Sequence, residues 1–164
     1  MKKHLLKIFL FGFFILASPA HGATLVSGTI LSNTAWTEAA SPYVVQGTLH
    51  IESGAVLTIE PGVVVKDPNF TVRGTLNAYG TAEKNIYFTS IKDDSVGGDT
   101  NLDGSATLPQ PGNWYQIRID SGGAANFSYS NIRYGGSLDY GWSMANIYNN
   151  GTLNLSDSVI SDSA

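Results

Sequence analysis

The sequence predicts an all-β fold, a parallel β-helix: a solenoid of about five coils broken by one long inserted loop. Three observations predict it. Apolar residues recur in pairs two apart, as Leu49/Ile51, Leu57/Ile59, Val63/Val65, Phe70/Val72, Leu76/Ala78, Ile86/Phe88, Ile117/Ile119 and Leu153/Leu155. That spacing places both members on one face of a strand, and Gly, Pro, Asn or Asp separates the short segments, as turns require. The phrases themselves repeat. Tyr43–Ile51 aligns with Phe70–Ala78 at an offset of 27, Asn126–Ile132 with Asn154–Ile160 at 28, and Gly74–Ala78 with Gly151–Leu155 at 77, close to three further periods. A fixed period in the twenties marks a solenoid. Finally, no window of ten or more residues beyond residue 23 has helical spacing, and Ala35–Ala40 offers one turn at most. An antiparallel sandwich also has many short strands, but leaves the in-register repeat unexplained.

The elements follow in order. Lys2, Lys3 and Lys7 precede an apolar run, Leu10–Leu16, and then small residues up to Ala23. This is the layout of a secretory signal peptide, residues 1–23, cut near Ala20–Ala23. The run is short of the ~20 residues a membrane span needs, and no second one follows. The expected location is therefore outside the cytoplasm: extracellular, on the cell surface or in the periplasm. Residues 24–164 form the expected domain. Residues 92–113 interrupt the repeat as an Asp/Gly-rich insert. At the far end Val159-Ile160 opens a fresh strand just before Ala164. An uncapped coil exposes apolar core and strand edges, so further coils or domains beyond Ala164 are expected.

Composition narrows the function. The chain has no Cys, which excludes a disulfide scaffold, a Cys zinc site, a Cys nucleophile and a lipid-modified Cys. Only 13% of residues are charged and the net charge is −4. Loss of residues 1–23 removes three lysines and leaves six basic against thirteen acidic side chains, a net of −7. A phosphate-backbone binder needs the opposite sign, so no nucleic-acid partner is expected.

Particular phrases carry a resemblance. They are Ser41-Pro42-Tyr43-Val44-Val45, Leu57-Thr58-Ile59-Glu60-Pro61-Gly62-Val63, Gly74-Thr75-Leu76-Asn77-Ala78-Tyr79-Gly80-Thr81, Ile86-Tyr87-Phe88-Thr89-Ser90, Trp114 and Ile117. From about Gly28 onward the chain resembles bacterial secreted right-handed parallel β-helix repeat proteins. The resemblance implies right-handed coiling and an N-terminal cap, residues 24–42, in which 28–42 with Trp36 cover the end of the column. Its phrases are specific for a fold and not for an activity, since such proteins include adhesin-like, carbohydrate-active and uncharacterised surface proteins.

The insert holds the best candidate chemistry. Asp99-Thr100-Asn101-Leu102-Asp103-Gly104 matches the first half of an EF-hand loop. Oxygens at Asp99, Asn101 and Asp103 converge as such a loop curls, Gly104 permits the sharp turn, and Ser105 offers its carbonyl. Position twelve is Gln110 rather than a bidentate Glu, and no helix flanks the loop. Asp93 or Asp94 can supply the missing carboxylate if the loop folds back. A structural Ca²⁺ is one expectation; a solvated Asp/Gly-rich loop without an ion is the other.

Catalytic sets are thin. Some β-helix lyases use carboxylates, bound Ca²⁺ and an arginine on the outer face, and Arg118 and Arg133 lie here on successive strand candidates beside Asp120. An outward-facing ion pair explains them as well. Arg73 is a third outer-face arginine. His50 alternates with inward Leu49 and Ile51 and has no partner for general-base work. Glu52 and Glu60 flank a strand but read more simply as corner residues. No G-x-S-x-G elbow and no phosphate loop occur. Aromatics crowd into 114–148, and Tyr134, Tyr140 and Trp142 sit in a Gly-rich stretch suited to stacking on sugar rings. Alternatively the crowded rings stack on one another along the coils. The expectation is a non-catalytic secreted or surface module for glycan binding, adhesion or scaffolding, with a polysaccharide or cell-surface glycan as partner. A polysaccharide lyase or glycoside hydrolase is the alternative.

Overall fold

The computed structural model describes residues 22–137 and 145–164. Fourteen strands run in chain order: β1 (Thr24–Ile30), β2 (Thr34–Trp36), β3 (Tyr43–Ile51), β4 (Val56–Ile59), β5 (Val64–Lys66), β6 (Phe70–Val72), β7 (Thr75–Tyr79), β8 (Ile86–Thr89), β9 (Ile117–Ile119), β10 (Ala124–Ser128), β11 (Ser130–Arg133), β12 (Ile147–Asn149), β13 (Thr152–Ser156) and β14 (Val159–Ser161). One 3-10 turn, Glu38–Ala40, is the only helical element among the described residues. The 1–23 leader falls outside them except for Gly22 and Ala23. No helix of the described residues is long and apolar enough to cross a membrane.

Every strand pairing among the described residues is parallel. A nine-stranded sheet and a five-stranded sheet result. The larger one is curled, because β3 belongs to two rows. Its first residues pair with β5 and its last with β6, with Gly47 at φ +73° between them. Strands therefore fall into three rows: β3-β5-β8-β11-β14, β3-β6-β9-β12 and β2-β4-β7-β10-β13. The chain visits the rows in turn and returns to each one strand further along.

The register corrects the repeat length. Tyr43 stands opposite Val65, and Val65 opposite Phe88, steps of 22 and 23 residues; Leu57 stands opposite Leu76, a step of 19. The 27-residue repeat instead aligns β3 with β6 and β7, strands from different rows. What recurs there is a local phrase, strand–glycine corner–strand, used at two different corners. The 28-residue repeat is true stacking, with Asn126 opposite Asn154. The 77-residue echo covers two steps, β7 to β10 to β13, because the insert lengthens one of them.

Inward residues stack into one apolar column. Leu49, Ile51, Leu57, Ile59, Phe70, Val72, Leu76, Ala78, Ile86, Phe88, Ile117 and Ile119 are all buried. Rings thread through it: Trp36 stacks on Tyr43 at 4.5 Å, and Phe70, Phe88 and Phe127 follow edge to face at 5.5–6.5 Å. Among the described residues the stack thus consists of Trp36, Tyr43, Phe70, Phe88 and Phe127; Tyr140 and Trp142 of the expected 114–148 crowd lie outside the described residues. Residues 24–42 extend both sheets through β1 and β2, and Trp36 is buried beneath them. At the other end Leu155, Val159 and Ile160 are about half exposed; among the described residues β12, β13 and β14 each pair on one side only.

Candidate metal centre and the polar faces

The insert lies over the outer side of the β5-β8-β11 row. Side chains that alternation would turn to solvent are covered there, including Val44, Val64, Lys66 and Thr89. Gly97, at φ +72°, brings the loop against Pro42 and Val64. Ile91 donates its backbone N–H to the Asp67 carboxylate, and the Lys66 ammonium donates to the Asp93 carbonyl.

Within the loop, the carboxylates of Asp94, Asp99 and Asp103 offer oxygens all within 4.8 Å of one another. The curl arises from local hydrogen bonding. Asp99 accepts from the backbone N–H of Asp103 and Gly104, and Asp103 accepts from those of Ala106 and Thr107. Leu102, Gly104 and Ser105 take positive φ, and the Ser105 hydroxyl donates to Asp94 across the fold-back. The Thr107 hydroxyl first, and then backbone N–H groups, hold the Asp103 carboxyl below the usual carboxylate range. Asp94 Oδ1 and Asn101 Oδ1 are buried without a hydrogen-bond partner among the described residues. Asn101 turns its amide N–H₂ to Asp103, at 2.8 Å, leaving its oxygen unspent. Clustered carboxylates and orphaned oxygens are the donor set a hard divalent cation takes. The residues fit Ca²⁺ on that ground.

Asp93 lies apart from the cluster. Its carboxylate receives Arg133 at 2.7 Å, the Thr89 hydroxyl at 2.5 Å and the Ser95 hydroxyl at 2.5 Å, and is almost wholly buried. Burial works to raise its carboxyl, but those three donors outweigh it and hold the group below the usual range. Burial lowers the Lys66 ammonium, against the pull of Asp93, Asp94 and Asp67. Burial also raises Asp67. The Arg133 guanidinium lies between the Tyr87 and Tyr134 rings, 5.7 and 5.4 Å from their centroids. Asp93 and Arg133 are therefore fasteners of the insert. Lys66 escaped sequence reasoning, because Val64-Val65-Lys66 reads as an ordinary strand end with its lysine in water.

Arg118 and Arg133 are not neighbours. Arg118 lies on β9 and binds Asp120 at 2.6 Å, whereas Arg133 lies on β11, in another row. Arg73 joins Asp120 at 3.2 Å and Glu52 at 2.7 Å. Asp120 is thus shared by two guanidiniums from stacked strands, a pairing at a separation of 47 residues that no local pattern announces. An open depression of about 520 Å³ lies at this corner. Glu60 is exposed at the corner after β4. His50 sits on the same outer row as Thr71 and Arg118, its Nδ1 without a partner among the described residues. Of the expected sugar-stacking set, Tyr134 packs on Arg133; Tyr140 and Trp142 lie outside the described residues. No family model matches the chain, and no curated protein or solved structure matches it either.

Proposed function

We propose that the chain is a right-handed parallel β-helix module of an exported bacterial protein, with a Ca²⁺-ordered insert, that binds glycans on its outer faces without turning them over. The observation that carries this reading is the division of the molecule into an apolar column and outer rows of polar side chains already paired with one another. Asn126 donates to Asn77 and Asn154 donates to Asn126, at 2.8 and 2.7 Å, in a ladder across three stacked strands. Such rows give a rigid, evenly spaced set of hydrogen-bonding groups, which is what a sugar chain needs to be held in register. A lyase or hydrolase needs an acid and a base converging on one bond. The outer-face carboxylates Glu52 and Asp120 are instead engaged by Arg73 and Arg118.

Three rows visited in turn, every step parallel, support the β-helix. The oxygen cluster of Asp94, Asp99 and Asp103, with Asn101 beside it, supports the metal. A glycan array followed by a turnover assay on every hit tests the function. Binding without new reducing or unsaturated ends is the expected result. Release of such ends would make the chain an enzyme, and an array with no hits would remove glycan binding.

A further inference from the structure

We propose that the corner holding Arg73, Asp120 and Arg118 is a binding site for a carboxylated polysaccharide, a chain of uronate sugars. This rests on the glycan-binding reading and gives it a place and a ligand class. The depression of about 520 Å³ there is built from the same corner in four successive layers: Ser53 after β3, Arg73 after β6, Asp120 and Ser121 after β9, and Asn150 after β12. Stacked strands lie ~4.8 Å apart, so the site extends roughly 14 Å along the axis. That is a shape for a chain rather than for a single small anion.

Its chemistry is that of a sugar acid. Asp120 takes Nε of Arg118, and the Tyr148 ring lies 5.9 Å from the guanidinium carbon. These two contacts orient the group while its Nη1 and Nη2 have no partner among the described residues. A held, outward-facing planar fork fits a carboxylate through two parallel hydrogen bonds. The hydroxyls of Ser53 and Ser121 likewise have no partner among the described residues, and they suit sugar hydroxyls. Arg118 also borders a second hollow of about 100 Å³ beside Thr71 and Gln116. It therefore stands on the ridge between the two hollows. Two arginines facing Glu52 and Asp120 leave the corner neutral, on a protein whose net charge is −4, or −7 without residues 1–23. A sparse polyanion with many hydroxyls fits that balance better than a densely sulfated one.

Calorimetric titration of the purified chain tests this, without added Ca²⁺ because the polymer chelates it. The probes are oligogalacturonate, the same oligomer fully methyl-esterified, and dextran sulfate. Oligogalacturonate should bind, and esterification should weaken it at least about tenfold. Arg118→Ala and Arg118→Lys should each cost about tenfold, since lysine cannot supply the fork. Tyr79→Ala, on another face, should change nothing, and thermal melts should show all variants folded. Equal binding of the ester, or binding indifferent to Arg118, overturns the proposal. Tighter dextran sulfate binding that depends on Arg118 replaces carboxylate by sulfate and also overturns it. If these acidic probes fail while neutral glycans score on the array, only this inference falls. If the array is blank too, glycan binding falls with it.

Discussion

Arg133 and Asp93 show how strongly one pair can fasten a long excursion. Asp93 is 2% exposed, and its charge is tolerable because a guanidinium and two hydroxyls meet it. Removing one partner of a buried pair strands the other charge, at a cost of about 3–5 kcal/mol. Arg133→Met should therefore lower the urea midpoint by that equivalent, and adding Asp93→Asn should recover part of it. The pH dependence follows from the same cluster. Asp93 is held low in the folded state, so its contribution is present above the unfolded value of 3.8 and is lost as pH falls through the lower folded value. Burial raises Asp67, so its cost appears as pH climbs from 3.8 through the raised value. Lys66 is lowered by burial. Between its folded value and 10.5 the folded state has released a proton that the unfolded chain keeps, and stability rises with pH. Urea midpoints across the pH range should show this alkaline rise, and Lys66→Met should flatten it.

Corners decide whether strands can stack. Gly74, Gly123 and Gly151 precede β7, β10 and β13 at equivalent places in three layers. A Cβ on Gly123 would stand 2.2 Å from the Val72 carbonyl oxygen, and one on Gly74 2.3 Å from the carbonyl oxygens of Glu52 and Ala55. Close backbone approach, rather than positive φ, demands glycine here. This is the physical origin of the recurring Gly-Thr-Leu-Asn phrase. Gly123→Ala should cost about 1–3 kcal/mol by overpacking, measured against Ser53→Ala at an exposed position of the same corner, which should be near neutral. The phrase was legible in the sequence. Which corners it served was not, because Gly47 and Gly74 carry the same neighbours while turning the chain between different rows.

Across the described residues parallel strands stand side by side in register, so a residue's value depends on which strands flank its own. Leu76 is fully buried between Leu57 and Ala125, while Leu155, beside Phe127 in β13, is 44% exposed. Leu76→Ala should cost about 2–5 kcal/mol, and Leu155→Ala clearly less, in the same denaturant series. The Ca²⁺ proposed for the insert would add a ligand-dependent contribution. Ca²⁺ at a hundred times its dissociation constant should stabilise the fold by about 2.7 kcal/mol if it binds only the folded state. A melt should then rise by several degrees with Ca²⁺ relative to chelator. Asp94→Asn and Asp99→Asn should abolish the rise with little effect in chelator. Asp93→Asn should lower the melt in both conditions, because its carboxylate serves Arg133 and not the cluster. An identical melt with and without Ca²⁺ would remove the metal.

Local chemistry was readable from the chain alone. Pairs such as Leu49/Ile51 and Ile117/Ile119 marked inward strand faces, because alternation is a property of single strands. The Asp99–Ser105 phrase marked a tight acidic curl, because Asx hydrogen bonds and glycine act within a few residues. Register, and everything that depends on it, was decided in three dimensions. Stacking steps of 19, 22, 23 and 28 residues follow corner lengths that no uniform period describes. Only the folded stack sets Arg73 beside Asp120, separates Arg118 from Arg133, draws Asp94 to the loop while turning Asp93 to Arg133, and buries Lys66 beneath the insert. These are contacts between layers, and a chain of short strands carries no local record of which layer comes to rest on which.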